Sequence, residues 1–144
     1  MIILDTNVLS ALMQQLPDPQ VVAWLDKQPA ESVWLTSITV FEARYGLALL
    51  SVGQRKTLLQ QRFEELLKDD LQSRIFQFDT HAATQAANLA ASRKGRGHPV
   101  DMRDTFIAGI ALARRATLAT RNTRHFDDIS VPVINPWEAS PSSR

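Results

Sequence analysis

Short apolar runs alternate with longer stretches of helical periodicity along this chain of 144 residues. The apolar or alternating runs predict strands at 2–4, 33–36, 74–78, 117–120 and 131–134. Apolar residues at helical spacing predict helices that begin near residues 6, 19, 37, 54, 80 and 101. Ser37 and Thr80 have side chains suited to capping, and we assign them as the N-caps of two of these helices.

Strands that alternate with helices indicate an α/β fold, with a mainly parallel sheet of four to five strands covered by helices on both faces. We expect one such three-layer α/β/α domain over 1–138, followed by a flexible tail at 139–144. Ligands of parallel sheets bind beyond the carboxyl ends of the strands. Asp5 follows the first predicted strand and Thr120 ends the fourth, so we expect the chemistry at this edge of the sheet.

The composition excludes several classes of protein. There is no cysteine, which excludes a disulfide scaffold, a cysteine nucleophile and thiolate-bound metals. No apolar stretch approaches the roughly 20 residues of a membrane span, and no basic segment precedes Asp5, so we expect a cytoplasmic protein. The net charge of +1 hides an excess of acids in residues 1–80 and of bases in 81–144. That split is compatible with an anionic site beside a cationic one.

Four acids stand where each has both an ordinary and a functional interpretation. Asp5 follows a buried strand and either caps a helix or binds a cation. Glu42 lies inside an apolar helix, where most glutamates face solvent. Asp104 is in the first turn of its helix but points along the apolar stripe, and Asp101 is the expected N-cap of that helix. Together these acids offer the oxygen ligands that Mg²⁺ prefers.

Polar and basic side chains near these acids have supporting roles open to them. Thr6, Asn7 and Thr120 either hydrogen-bond the acids or cap helices. The candidate contacts to an RNA phosphate are Arg93, Lys94, Arg96, Arg103, Arg121 and Arg124. We favour Arg121 and Arg124 because they directly follow the strand that ends at Thr120.

Five segments, in order along nearly the whole chain, resemble motifs of the PIN-domain family. They are ILDTNVL at 3–9, TSITVFEARYG at 36–46, DTFIA at 104–108, TLATRNTR at 117–124 and VINPW at 133–137. The match is closest to the VapC and FitB-like toxins of bacterial type II toxin–antitoxin pairs. It implies a PIN fold and a Mg²⁺- or Mn²⁺-dependent endoribonuclease whose metal-site acids are Asp5, Glu42 and Asp104. It also implies a homodimer and a small VapB- or FitA-like antitoxin, with operator DNA bound only through the antitoxin.

The fourth motif departs from the family pattern. Many relatives carry a fourth acid there, whereas this chain has Asn122 at the first candidate position and His125 where the acid often stands. Asp127 and Asp128 lie out of register, and a water-bridged Asn122 or Asp101 could partly substitute. A site with fewer charges holds a second ion weakly, so we expect low or strongly metal-dependent activity.

Two other functions stay open on the sequence. One is a weakly active PIN subunit that acts mainly by binding its antitoxin and, through it, operator DNA. The other is an aspartyl-phosphate phosphatase or receiver domain. Such phosphatases carry a second Asp two residues after the first, but Asn7 stands there, and no suitable lysine follows a late strand.

Overall fold

The structure is a computed structural model that describes residues 1–138, so the expected tail at 139–144 lies outside the described residues. The strands are β1 (Ile2–Leu4), β2 (Val33–Thr36), β3 (Ile75–Phe76), β4 (Thr117–Ala119) and β5 (Val133–Ile134). The helices are α1 (Thr6–Met13), α2 (Pro19–Asp26), α3 (Ser37–Leu49), α4 (Gln54–Glu65), α5 (Thr80–Gly95) and α6 (Met102–Arg114). A wider helical turn, Leu66–Asp70, continues α4, and a short 3₁₀ turn, Thr123–Phe126, follows β4.

The five strands form one sheet in the order β3-β2-β1-β4-β5, and every neighbouring pair is parallel. This confirms the predicted α/β fold with a parallel sheet. The two edge strands are shorter than predicted, with two residues each rather than the ranges 74–78 and 131–134. At β5 one reason is local, because Pro132 has no backbone N–H to donate to a neighbour.

Successive strand residues point to opposite faces of the sheet and build two separate cores. On β1, Ile3 belongs to the core beneath α5 and α6, whereas Leu4 belongs to the core beneath α1–α4. The same alternation separates Leu118 from Ala119 on β4. Helices therefore cover both faces, which confirms the three-layer α/β/α architecture and leaves the carboxyl edge of the sheet open for side chains that follow each strand.

Five helices begin at side-chain caps, and two of these caps differ from the sequence prediction. Thr36 rather than Ser37 caps α3, and Asp79 rather than Thr80 caps α5. Ser37 is already the first helical residue, and its hydroxyl oxygen accepts a hydrogen bond from the Phe78 N–H. Asp5 and Asp101 cap α1 and α6, so the acids nearest the predicted site also fix where these helices start.

Close packing of α5 against α6 fixes the helix that carries Asp104. Gly109 of α6 has no Cβ, and a Cβ there would lie 2.6 Å from the Ala82 carbonyl oxygen of α5. A single missing methyl group thus permits the close approach of the two helices.

The α3–α4 hairpin leaves part of its apolar surface uncovered. Phe41, Tyr45 and Leu49 of α3 are each more than half exposed. Over residues 1–138, no helix is both long and apolar enough to cross a membrane.

Candidate functional site

Asp5 is the most buried carboxylate of the candidate site, with only 3% of the residue exposed. Its Oδ1 accepts from the Thr6 N–H, and its Oδ2 accepts from the Thr120 hydroxyl at 2.7 Å. Burial raises the pKa of Asp5 to about 6, although the hydrogen bonds from Thr120 and Thr6 oppose the shift. The like charges of Asp104 and Glu42 add to the increase, so these three acids lie close enough to interact.

Glu42 joins the candidate site through α1. Its Oε1 accepts a 2.7 Å hydrogen bond from the Thr6 hydroxyl, and its Oε2 lies 3.6 Å from Nη1 of Arg103. The Glu42 side chain is about one-fifth exposed, so it is neither fully solvated nor part of the core. Glu42 is therefore partly buried and hydrogen-bonded to the residue that follows Asp5.

Asp104 is held by His125, the residue at which the fourth motif departs from the family pattern. Oδ2 of Asp104 lies 2.7 Å from Nδ1 of His125. Because an ionised carboxylate can only accept, Nδ1 carries the hydrogen in this bond. The Asp104 side chain is 19% exposed and that of His125 is 48% exposed, so the pair lies at the rim of the site.

The loop after β4 closes over the Asp5 carboxylate. The Asn7 amide lies within hydrogen-bond distance of both Asp5 Oδ2 and Thr120 Oγ1, and its own oxygen accepts from the Arg121 N–H. The Asn122 N–H donates to the Thr120 hydroxyl oxygen. The sequence left open whether Thr6, Asn7 and Thr120 hydrogen-bond the acids or cap helices. All three hydrogen-bond an acid, Thr6 through Glu42 and the other two through Asp5.

The other residues predicted for the site lie on the exposed surface of the protein. Asp101 is exposed and caps α6, and hydrogen bonds from the Arg103 N–H lower the pKa of its carboxyl below the ordinary value. The Arg103 guanidinium lies between Asp101 and Glu42. Arg121 is exposed and lies over the ring of Trp137, 4.8 Å from its centre, while Arg124 is exposed in the turn after β4.

The prediction that Arg93 contacts RNA phosphate is wrong. Arg93 is only 2% exposed, and its guanidinium pairs with Asp128 at 2.8 Å. In sequence Arg93 adjoins the exposed basic residues Lys94 and Arg96, whereas its partner Asp128 lies 35 positions further along the chain. Local sequence patterns cannot reveal a partner at that separation.

The donor set suits a hard divalent cation. Three carboxylates lie at one edge of the sheet, and the buried one has its pKa raised partly by the other two, a cost that a bound cation would offset. Within residues 1–138 no three acidic or histidine side chains converge tightly enough to enclose an ion as they stand. Instead, the three carboxylates are engaged by Thr120, Arg103 and His125 respectively.

Comparisons with known proteins agree with this architecture. The PIN domain family matches residues 2–132. A VapC ribonuclease of Sinorhizobium fredii is 41% identical over 96% of this chain and 99% of its own length. Toxin FitB of Neisseria gonorrhoeae is 40% identical over 95% of this chain and 99% of its own length.

Solved structures extend the likeness to three dimensions. The crystal structure of FitAcB from Neisseria gonorrhoeae superposes with a TM-score of 0.88 at 40% identity, covering 96% of this chain and all of that one. Other structural neighbours are VapBC and FitAB assemblies, some of them bound to DNA. The chain belongs to the PIN-domain family, among the VapC- and FitB-like toxins of toxin–antitoxin systems.

Proposed function

We propose that this toxin is a metal-dependent endoribonuclease in which Asp5, Glu42 and Asp104 hold Mg²⁺ or Mn²⁺. The main support is the environment of the Asp5 carboxylate, which is buried beside two further acids and has its pKa raised to about 6. Burying an ionised carboxylate is unfavourable unless a partner compensates it. The VapC ribonuclease name of a relative with 41% identity supports RNA as the substrate.

A divalent cation held by Asp5, Glu42 and Asp104 would supply the Lewis acidity that activates water and stabilises a leaving oxygen in phosphodiester hydrolysis. The residues of this chain orient the carboxylates for that task. Thr120 and Asn7 fix Asp5, Thr6 fixes Glu42, and His125 fixes Asp104. Locking each ligand by a neighbouring hydrogen bond reduces the reorganisation that binding requires.

We assign phosphate binding to Arg121, Arg124 and Arg103, three exposed cations of which Arg103 contacts Glu42. Arg121 and Arg124 follow β4 directly, and Arg103 precedes Asp104 on α6. Contacts to phosphate position an RNA without reading its sequence. Selectivity is then expected to depend on the shape of the RNA and on unpaired nucleotides.

The partner is a small VapB- or FitA-like antitoxin, and operator DNA is bound only through it. Structural neighbours that contain both toxin and antitoxin support this assignment. A homodimer is the expected state of the toxin itself, supported by the exposed apolar residues Phe41, Tyr45 and Leu49 on α3. Light scattering of the toxin and of a Leu49→Glu variant tests the dimer, and an unchanged molar mass would assign this face another role.

A cleavage assay on structured RNA tests the proposed activity. We expect wild-type protein to cut RNA with Mn²⁺ or Mg²⁺ and to lose this activity on chelation. Asp5→Asn and Asp104→Asn should each lower the rate by at least about 100-fold, whereas Asp69→Asn, a change at an exposed acid after α4, should not. Cleavage that survives Asp5→Asn would contradict the proposal.

A weakly active subunit that acts mainly by binding is the second candidate, because Asn122 and His125 replace a fourth acid. It predicts tight antitoxin binding without measurable cleavage at any metal concentration. The aspartyl-phosphate phosphatase is disfavoured by the PIN-domain match and by Asn7, whose amide hydrogen-bonds Asp5 instead of supplying a second carboxylate. Labelling of Asp5 by a phosphate donor would restore that alternative.

A further inference from the structure

Arg93 is a buried cation that the proposed reaction does not use. It lies near the end of α5, and all but 2% of its surface is covered. Its guanidinium makes four hydrogen bonds, in addition to the backbone contact of its carbonyl with the His98 N–H. Such a network holds separate parts of a chain in one arrangement because the planar fork donates in fixed directions.

The four hydrogen bonds join three segments of the chain. Nε and Nη2 pair with the two oxygens of Asp128, Nη1 donates to the Thr105 hydroxyl at 2.9 Å, and Nη2 also donates to the His125 carbonyl at 2.7 Å. Thr105 is itself fully buried in the first turns of α6. The arginine therefore connects the end of α5, the start of α6 and the turn after β4.

Two of these contacts lead directly to the candidate site. Thr105 is the neighbour of Asp104 in the chain, and His125 is the residue whose ring binds Asp104. One guanidinium thus contacts both sides of the Asp104–His125 hydrogen bond, through the Thr105 hydroxyl on one side and the His125 carbonyl on the other. His125 lies in a four-residue 3₁₀ turn, and the Arg93 hydrogen bond to its carbonyl anchors this turn to the end of α5.

The Asp128 carboxylate provides the charge that makes a buried arginine tolerable. Its side chain is 9% exposed, and the hydrogen bonds from Arg93 hold the pKa of Asp128 well below the ordinary value. Buried ion pairs can often be replaced by well-packed apolar residues at little cost in stability. A contribution to stability is therefore a weak explanation for the presence of the Arg93–Asp128 pair.

We propose that Arg93 is a positioning residue that, together with Asp128, fixes the Asp104–His125 pair for the reaction. This inference rests on the proposed ribonuclease function. Arg93 touches neither Asp104 nor the His125 ring, and it acts through the Thr105 hydroxyl and the His125 carbonyl.

The double variant Arg93→Met/Asp128→Leu separates positioning from stability, since it removes the ion pair without leaving an unpaired buried charge. We expect its free energy of unfolding to stay close to wild type. Its kcat should fall about 100-fold, because displacing a reacting group by about 1 Å has that effect, while KM for RNA stays within about twofold. Arg93→Lys, which keeps the charge but loses the fork, should lower kcat in the same direction.

Nitrogen-15 NMR of histidine-labelled protein supplies a readout that is independent of activity. Wild-type His125 should show a proton held on Nδ1, and the double variant should show the averaged pattern of a free imidazole. Arg74→Met is the matched control, since Arg74 donates to the carbonyls of Ala30, Val33 and Asp70 on another part of the fold. It should lower stability without altering kcat or the His125 spectrum.

The outcomes are distinguishable. A folded double variant with wild-type kcat, or with an unaltered His125 spectrum, overturns the positioning role. If the double variant does not fold, a folded Arg93→Lys protein with wild-type kcat and spectrum overturns it equally. A wild-type protein that cleaves no RNA contradicts the proposed function, whereas the His125 spectrum still decides whether Arg93 orders the pair.

Discussion

The Thr120 hydroxyl donates a 2.7 Å hydrogen bond to Oδ2 of Asp5, although 115 positions separate the two residues. Parallel pairing of β1 with β4 creates this contact, because the residues that follow the two strands leave the sheet side by side. The bond stabilises the charged carboxylate in a buried position, where ionisation is otherwise unfavourable. Thr120 therefore favours the protonation state that binds cations.

Thr120→Val should weaken metal binding by removing this donor while preserving the shape of the side chain. A hydrogen bond to a charged group is worth about 1.5–3 kcal/mol, which corresponds to a decrease in Mn²⁺ affinity of about tenfold or more. Calorimetric titration measures the affinity. Thr117→Val, at the other end of β4, is the control and should leave it unchanged. An unaltered affinity in Thr120→Val would contradict this role for the hydroxyl.

The pKa of Asp5 predicts an unusual dependence of stability on pH in the metal-free protein. The folded value of about 6 lies above the ordinary value of 3.8, so the native state binds this proton more tightly than the unfolded chain does. The Asp5 contribution is therefore most favourable at low pH and is lost as the pH rises through about 6. The loss amounts to about 2–3 kcal/mol.

Asp5→Asn should remove this dependence, because a neutral amide carries no charge to desolvate. With chelator present, we expect the variant to exceed wild type in stability by about 1–3 kcal/mol at neutral pH and to match it near pH 4. Urea unfolding at several pH values measures the difference, with Asp69→Asn as the control. Equal pH profiles of wild type and Asp5→Asn would show that Asp5 has an ordinary pKa.

Local sequence patterns could predict the layers of this fold, but not where each helix or strand begins and ends, nor which residues distant in sequence pair with each other. The β1 and β4 runs are apolar on both faces, so their burial follows from composition, as does the alternation with helices. The predicted N-cap of α3 is wrong by one residue because Thr36 and Ser37 both carry a hydroxyl that could cap the helix. Only a tertiary contact distinguishes them, since the Ser37 hydroxyl accepts from the Phe78 N–H.

The candidate site shows the same limit. Asp5 and Asp104 were predictable because each stands at the start of a helix and beside apolar positions. The partner of Arg93 was not, since Asp128 lies in irregular structure and its pairing depends on how α5 and the β4–β5 connection pack. Nor does any spacing rule place the His125 ring on Asp104, 21 positions away.

Gly109→Ala should disrupt the packing of α5 against α6. The new Cβ would lie 2.6 Å from the Ala82 carbonyl oxygen and 2.7 Å from the Ala86 Cβ, and backbone must move to accommodate it. We expect a loss of about 1–3 kcal/mol of unfolding free energy. Gly46→Ala, in α3 where nothing lies within 4 Å, should instead gain about 0.5–1 kcal/mol. Thermal unfolding compares the two, and a neutral Gly109→Ala would contradict the close approach.

Asn122→Asp should restore a fourth carboxylate to the candidate site and strengthen its hold on cations. The Asn122 backbone N–H donates to the Thr120 hydroxyl oxygen, which in turn donates to Asp5, so the backbone at position 122 lies near the buried acid. Opposite charges about 4 Å apart interact by at least about 1 kcal/mol, so we expect a carboxylate at this position to raise the Mn²⁺ affinity about tenfold. Asn88→Asp makes the same charge change on the exposed face of α5 and should have no such effect.

With chelator present, Asn122→Asp should be less stable than wild type, because the added charge repels Asp5 when no cation is bound. Tighter binding together with lower metal-free stability distinguishes a true addition to the site from a general charge effect, whereas unchanged affinity would show that position 122 lies outside it.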